Sequence, residues 1–350
     1  MPLFLVVLFI SITFAKKMQT AERIDAISLM RVMAMTMIVL FHSFLFYTGT
    51  WWVFGGKVIP IWVKVARFLD SIDLPMFVYI SGFLYGYLYL YQGKYNDTKI
   101  FLQNKVRRLL IPYLFWGIIV AALPPSPCDW KTLFVGSAHL WFLLMLFWLF
   151  AFSALWKKVL NLKDTKFFLL ILFLLYSIWL IYHRFSSHHS FLCFESALSY
   201  SLVFLIGMVS AKKQIWKRAS RASIFLSLLM ILALFFYVFF MSSCSDTMDN
   251  LILRVLSYTF IANFFIVLSK LKLSSDVRNI VKKIDKLSMG VYIFNQFVIN
   301  ALLLVPSINY WLEQNYKIGP LVIFVISFFI PLCLSYIFNK YKCLSWTIGG

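Results

Sequence analysis

Two ionisable side chains stand inside an otherwise apolar run, Arg31-Val-Met-Ala-Met-Thr-Met-Ile-Val-Leu-Phe-His42. Read as a helix, their separation of eleven residues advances about 1,100°, about 20° past three full turns, so both lie on one face roughly 16 Å apart along the axis. A guanidinium and an imidazole are costly in a segment fit for lipid, and such groups usually face a pathway or a site. An imidazole with a pKa near 6.5 can take a proton from a hydroxyl at neutral pH. It can also carry an acyl group transiently, and the residues leave both roles open. Arginine keeps its charge, so Arg31 is no base; it can orient an anionic donor or stabilise an oxyanion. In the plainer reading Arg31 snorkels to the headgroups and His42 is an interfacial histidine. The shared face favours a site.

Composition says where such a helix lives. Of 350 residues, 62% are hydrophobic and 13% charged, and the mean hydropathy is +0.85. A soluble domain of this size has no interior for so much apolar surface, so the chain is an all-α, polytopic transmembrane helix bundle. Approximate spans are 26–47, 71–92, 109–123, 140–156, 167–182, 191–210, 222–241, 251–269, 288–305 and 319–338, about ten helices. The net charge of +20 does not point to nucleic acid, because its lysines and arginines cluster in alternate short loops. That alternation puts both termini in the cytoplasm. Arg31 then lies toward the cytoplasmic end of the first helix and His42 toward the outer end, an arrangement suited to two substrates arriving from opposite sides. Residues 48–70, with Trp51, Trp52, Trp62, Lys57, Lys64 and Arg67, read as an interfacial helix.

The chain divides into a membrane domain, 21–350, and an apolar extension, 1–20, too short for a comfortable span. The extension is either an interfacial segment or upstream of a true start at Met18. Cys128, Cys193, Cys244, Cys333 and Cys343 show no paired spacing, so neither a zinc site nor a disulfide framework is indicated. Cys128, Cys193 and Cys244 fall on the same expected outer side, which leaves room for one bridge between two of them. His183, His188 and His189 lack helical or strand spacing and further ligands, which reads as a solvated loop rather than a metal site. Ser81-Gly82 reads as a place where another helix approaches closely, since no nucleophile elbow surrounds the serine.

Five elements in order resemble the acyltransferase 3 family of integral membrane enzymes. They are Arg31-x10-His42, Leu74-Pro-Met-Phe-Val-Tyr-Ile-Ser-Gly-Phe-Leu84, Lys105-Val-Arg-Arg-Leu-Leu-Ile-Pro-Tyr113, His139-Leu-Trp-Phe-Leu143 and Met289-Gly-Val-Tyr-Ile-Phe-Asn-Gln-Phe297. The resemblance spans about residues 22 to 340 and implies an O-acyltransferase of the cytoplasmic membrane. It implies acetyl-CoA as donor, with no metal, and as acceptor a hydroxyl on a surface or exported glycan or its lipid-linked precursor. His42 and Arg31 are the catalytic candidates. Lys105, Arg107 and Arg108 would take the phosphates of the donor, although any inside loop should be basic. His139, Trp141, Glu195, Asp73, Asn295 and Gln296 are the acceptor-binding candidates, and Asp70, Asp73 or Glu195 could orient His42 as a triad acid does. Trp141 reads equally well as an interfacial anchor.

The chain departs from the family pattern at two places. An acid often lies three residues before the arginine, where this chain has Ser28 and its nearest acid is Asp25. The late segment often reads Tyr-x-x-His-Gln, and here it reads Tyr292-Ile-Phe-Asn295-Gln296. A different class, a transporter or flippase for lipid-linked sugars, would show Gly/Pro-broken helices at matching places in two repeats. No such repeat is seen.

Overall fold

The computed structural model describes residues 25–51, 56–122, 131–136, 138–162, 170–171, 174, 176–178, 191–218, 220–241 and 247–350. The extension before residue 25, most of the predicted span 167–182, the histidine cluster, Cys128 and Cys244 lie outside the described residues. No strand occurs among the described residues. Seven helices there are long and apolar enough to cross a membrane, or eight if one pair bent by 93° counts as a span. The chain is therefore a multi-pass helical membrane protein.

The first helix, α1 (Asp25–Thr48), buries Met30, Ala34, Met35 and Val39 completely. It is followed by α2 (Pro60–Asp70), which runs on through Ser71 and Ile72 into α3 (Asp73–Gln92). Together α2 and α3 make a 33-residue run, about 50 Å at 1.5 Å per residue. A hydrocarbon core is about 30 Å thick, so Lys64 and Arg67 of α2 stand at or beyond its edge. The buried face of α2, Ala66 and Leu69, packs on Phe44 of α1.

Next come α4 (Thr98–Lys105) and α5 (Ile111–Ala122), joined by a π-helical turn over Val106–Leu110. Asp97 caps α4 by accepting from the Lys99 and Ile100 N–H groups. The π turn has a local cause. Pro112 has no N–H to return to the preceding turn, and the Ile111 N–H reaches five residues back to the Val106 carbonyl. The later helices are α6 (Trp141–Ala151), α7 (Ser153–Asn161), α8 (Phe194–Lys212), α9 (Arg221–Phe236) and α10 (Thr247–Leu268). The chain ends with α11 (Ser275–Leu303), α12 (Pro306–Gln314) and α13 (Gly319–Lys340).

The packing sorts helices by side-chain size. α3 and α8 meet backbone to backbone: a Cβ on Gly82 would overlap the Phe204 carbonyl oxygen, and one on Gly207 would overlap that of Tyr79. The close approach expected at Ser81-Gly82 is thus made by Gly82, reciprocally with Gly207. By contrast α9 leaves Phe225, Leu228, Leu232 and Phe236 exposed, a surface for lipid rather than water. Gly82→Ala and Gly207→Ala should each destabilise the bundle by about 1–3 kcal/mol through overpacking. Thermal unfolding in detergent reads this out, and unchanged midpoints would contradict the tight contact.

Candidate active site

The two polar groups of α1 are tied to one neighbour. α1 and α11 run side by side in the same direction, pinned at successive levels. Near the start Arg278 donates to Asp25. Higher up, Arg31 donates to Asp285 Oδ2 at 2.6 Å and the Ser28 hydroxyl donates to the same oxygen at 2.6 Å. Near the far end His42 Nδ1 lies 2.7 Å from Asn295 Oδ1. Beyond it Trp51 Nε1 donates to Asn300 Oδ1 at 3.0 Å. The acid missing at Ser28 is thus supplied from α11. The pattern contained a signal for it, since Asp285 is the lone acid among Lys282, Lys283 and Lys286 just before a predicted span.

The tautomer of His42 follows from its partner. The Asn295 amide donates to the Tyr292 carbonyl at 2.7 Å and the Val291 carbonyl at 3.3 Å, which turns its Oδ1 toward the imidazole. That oxygen can only accept, so His42 carries its proton on Nδ1 and keeps the Nε2 lone pair free. No carboxylate takes this orienting place; an amide does. His42 is half-buried, its ring centroid 6.4 Å from that of Trp51 and 6.4 Å from that of His139, both near perpendicular to it.

His139 is itself fixed. Its Nε2 donates to the Ile293 carbonyl at 2.8 Å, its backbone N–H donates to Gln296 Oε1 at 3.1 Å, and the Tyr292 hydroxyl donates to its carbonyl. Ala138, just before it, is held at φ 43°, an uncommon left-handed conformation for a residue with a side chain. His139 Nδ1 is buried without a partner among the described residues. The motifs around 139 and 289–297, far apart in sequence, thus meet at His42.

A cavity of about 510 Å³ opens at the other end of this helix pair, within the 300–1,000 Å³ typical of small-molecule sites. It is lined by the polar Arg31, Asp285, Lys286, Lys105, Arg108, Asn339 and Ser81 together with Tyr85, Leu143, Phe150, Ile38, Phe77, Phe142 and Tyr292. Arg31 Nε and Asp285 Oδ1 are buried there without protein partners among the described residues. Ile38, in its lining, precedes His42 by about one helical turn, about 6 Å along α1. Lys105 sits 3.6 Å from the centroid of the Phe150 ring, a cation–π contact. Burial chiefly, with the Arg108 charge beside it, brings its ammonium down from 10.5 to about 7.

The remaining candidates fall in different places. Arg107 does not share the cavity; the π turn directs it to an open groove with Lys99 and Val106. Trp141 begins α6, with its ring 6.2 Å from Tyr200. Asp73 is fully buried at the start of α3, and its Oδ2 has no partner among the described residues. Glu195 is half-buried in the first turn of α8. Asp70 is exposed and lines a separate polar cavity of about 160 Å³ with Arg67, Tyr200 and Arg254. Cys193 is a buried free thiol among the described residues, its Sγ donating to the Val135 carbonyl at 3.0 Å. No group of three metal-ligating side chains occurs among the described residues.

A family model described as an acyltransferase domain matches residues 24–340. The chain belongs to this acyltransferase family. Every element just described, from the Asp25 ion pair to the end of α13, falls inside the matched segment. Among curated proteins and among solved structures nothing matches the chain. The acyltransferase thus has a histidine pair toward one end of its α1–α11 seam and a cation-lined cavity toward the other.

Proposed function

We propose that this acyltransferase moves an acetyl group from acetyl-CoA, bound from the cytoplasm, to a hydroxyl of a surface or exported glycan or its lipid-linked precursor, in the cytoplasmic membrane. The observation that carries the reading is one cavity whose lining includes Arg31, Lys105, Arg108 and Lys286 and also Ile38, about one helical turn from His42. Phosphates of the donor suit the cations, and its thioester arm suits the more apolar lining toward Ile38, Phe77 and Phe142.

In the reaction His42 Nε2 accepts the proton of the acceptor hydroxyl as its oxygen attacks the thioester carbonyl. The new C–O bond forms and the C–S bond breaks. The thiolate then takes the proton back from the imidazolium, and free thiol leaves. Asn295 Oδ1 holds Nδ1–H throughout, so Nε2 is the nitrogen that works. Arg31 is roughly 16 Å from His42 along α1, too far to touch the same carbonyl. Its role is therefore donor orientation rather than oxyanion stabilisation.

The test is transfer of labelled acetyl from acetyl-CoA to the glycan fraction by membranes containing the protein, beside CoA binding to the purified protein. Absence of both would overturn the reading. A pH effect accompanies it. Below about pH 7 Lys105 carries its charge and above it the charge is lost, while bound phosphate moves that midpoint upward. The KM for acetyl-CoA should rise by roughly tenfold from pH 6 to 9, one charge-assisted contact, and Lys105→Arg should flatten the rise. An equal slope in the variant would assign the pH effect elsewhere.

A further inference from the structure

Beyond α13 the chain turns at Tyr341 and folds back as a hook over residues 342–350, built from short helical turns Lys342–Ser345 and Trp346–Ile348. This segment lies past the family match, which ends at residue 340. Its turn is nevertheless buried at Thr347, Ile348 and Gly349, with Thr347 1% and Ile348 3% exposed. Trp116 of α5 donates its indole N–H to the Thr347 carbonyl at 2.8 Å, and the Trp346 ring lies 5.2 Å from that of Phe115.

The hook docks where the π turn has opened the helix. Pro112 has no N–H, so the usual helical donor to the Arg108 carbonyl, four residues back, is missing. Gly349 packs against this carbonyl. Its φ is +75°, and a Cβ there would lie 2.7 Å from the Arg108 oxygen, so both backbone conformation and space require glycine. In return the Gly349 carbonyl accepts from Arg108 Nε at 3.3 Å. Ile348, Gly349 and Gly350 share the wall of the 510 Å³ cavity with Lys105 and Arg108.

We propose that the hook is part of the donor site: it positions the Arg108 guanidinium and walls the phosphate-bearing end of a nucleotide thioester. This rests on the reading of the cavity as the acetyl-CoA site. Arg108 is otherwise an exposed, rotamer-rich side chain. One hydrogen bond at Nε fixes the plane of its fork and leaves the two terminal nitrogens to grip a phosphate bidentately. Arg108 touches the ligand, and Gly349 and Trp116 act through it as positioning residues.

The experiment compares the full chain with Gly349→Val, Trp116→Phe, Arg108→Gln and the double variant Arg108→Gln/Gly349→Val, measuring KM and kcat for acetyl-CoA and CoA-induced thermal stabilisation. Gly349→Val should raise KM about tenfold with kcat within twofold, and Trp116→Phe, which loses one hydrogen bond but keeps a ring, about threefold in the same direction. On the Arg108→Gln background Gly349→Val should add little, because both act on one contact. An unchanged KM in both hook variants, a fall in thermal midpoint alone, or full additivity in the double variant would make the hook a structural cap and overturn the proposal. If the unaltered protein bound no CoA, the donor reading itself would fall and the hook proposal with it.

Discussion

His42→Ala should lower acetyl transfer by about 10²–10⁴-fold, the usual contribution of a positioned general base, and leave the affinity for CoA within twofold. The asymmetry follows from geometry. The imidazole lies about a turn beyond Ile38 of the cavity lining, beside the rings of Trp51 and His139, so its removal takes a proton acceptor without taking a donor contact. Asn295→Leu should act in the same direction more weakly, because the ring loses the acceptor that fixes its tautomer. Asn295→Asp should restore activity. Wild-type transfer in His42→Ala would remove the site, and a parallel loss of CoA affinity would place the imidazole in the donor pocket instead.

Arg31→Ala should act on the other substrate. Losing a charged hydrogen bond to the donor, worth about 1.5–3 kcal/mol, raises the KM for acetyl-CoA by about 10- to 100-fold. It also strands Asp285, whose side chain is only 8% exposed against 34% for Arg31, and stranding the more buried partner is the larger structural penalty. The double variant Arg31→Ala/Asp285→Ala separates the two effects. Its thermal midpoint should recover relative to Arg31→Ala while its KM stays high. Recovery of KM with the midpoint would reduce Arg31 to a structural ion pair, and a kcat loss without a KM change would return it to the oxyanion role.

The features of this site differed in how far sequence revealed them. Arg31 and His42 were readable because helical periodicity is local: two costly groups on one face of an apolar run need no partner to be noticed. Gly82 was readable for the same reason, since a small residue in a span implies a neighbour. What periodicity cannot do is name that neighbour. Asp285 and Gly207 come from helices far along the chain, and only packing joins them to α1 and α3. The π turn escaped detection because it depends on how Pro112 resolves its missing hydrogen bond, and it is this turn that separates Arg108, in the cavity, from Arg107, outside it. The hook was overlooked because short helical turns carry no long apolar pattern. The span count of about ten exceeds the seven or eight among the described residues, partly because α5 has only 12 helical residues and the predicted span 167–182 falls largely outside them.

The seam between α1 and α11 also has a timetable. Arg31 emerges from the ribosome 254 residues ahead of Asp285, about 13–50 s at ordinary synthesis rates of 5–20 residues per second. Throughout that interval the first helix must be inserted with an unmatched cation, at a cost of about 2.5–3.5 kcal/mol if it sat at mid-bilayer, and its position near the helix start keeps it closer to the headgroups. A nascent chain cut short before the eleventh helix would therefore hold every cation of the mouth except Lys286 and yet own neither the carboxylate nor the amide that gives α1 its working geometry.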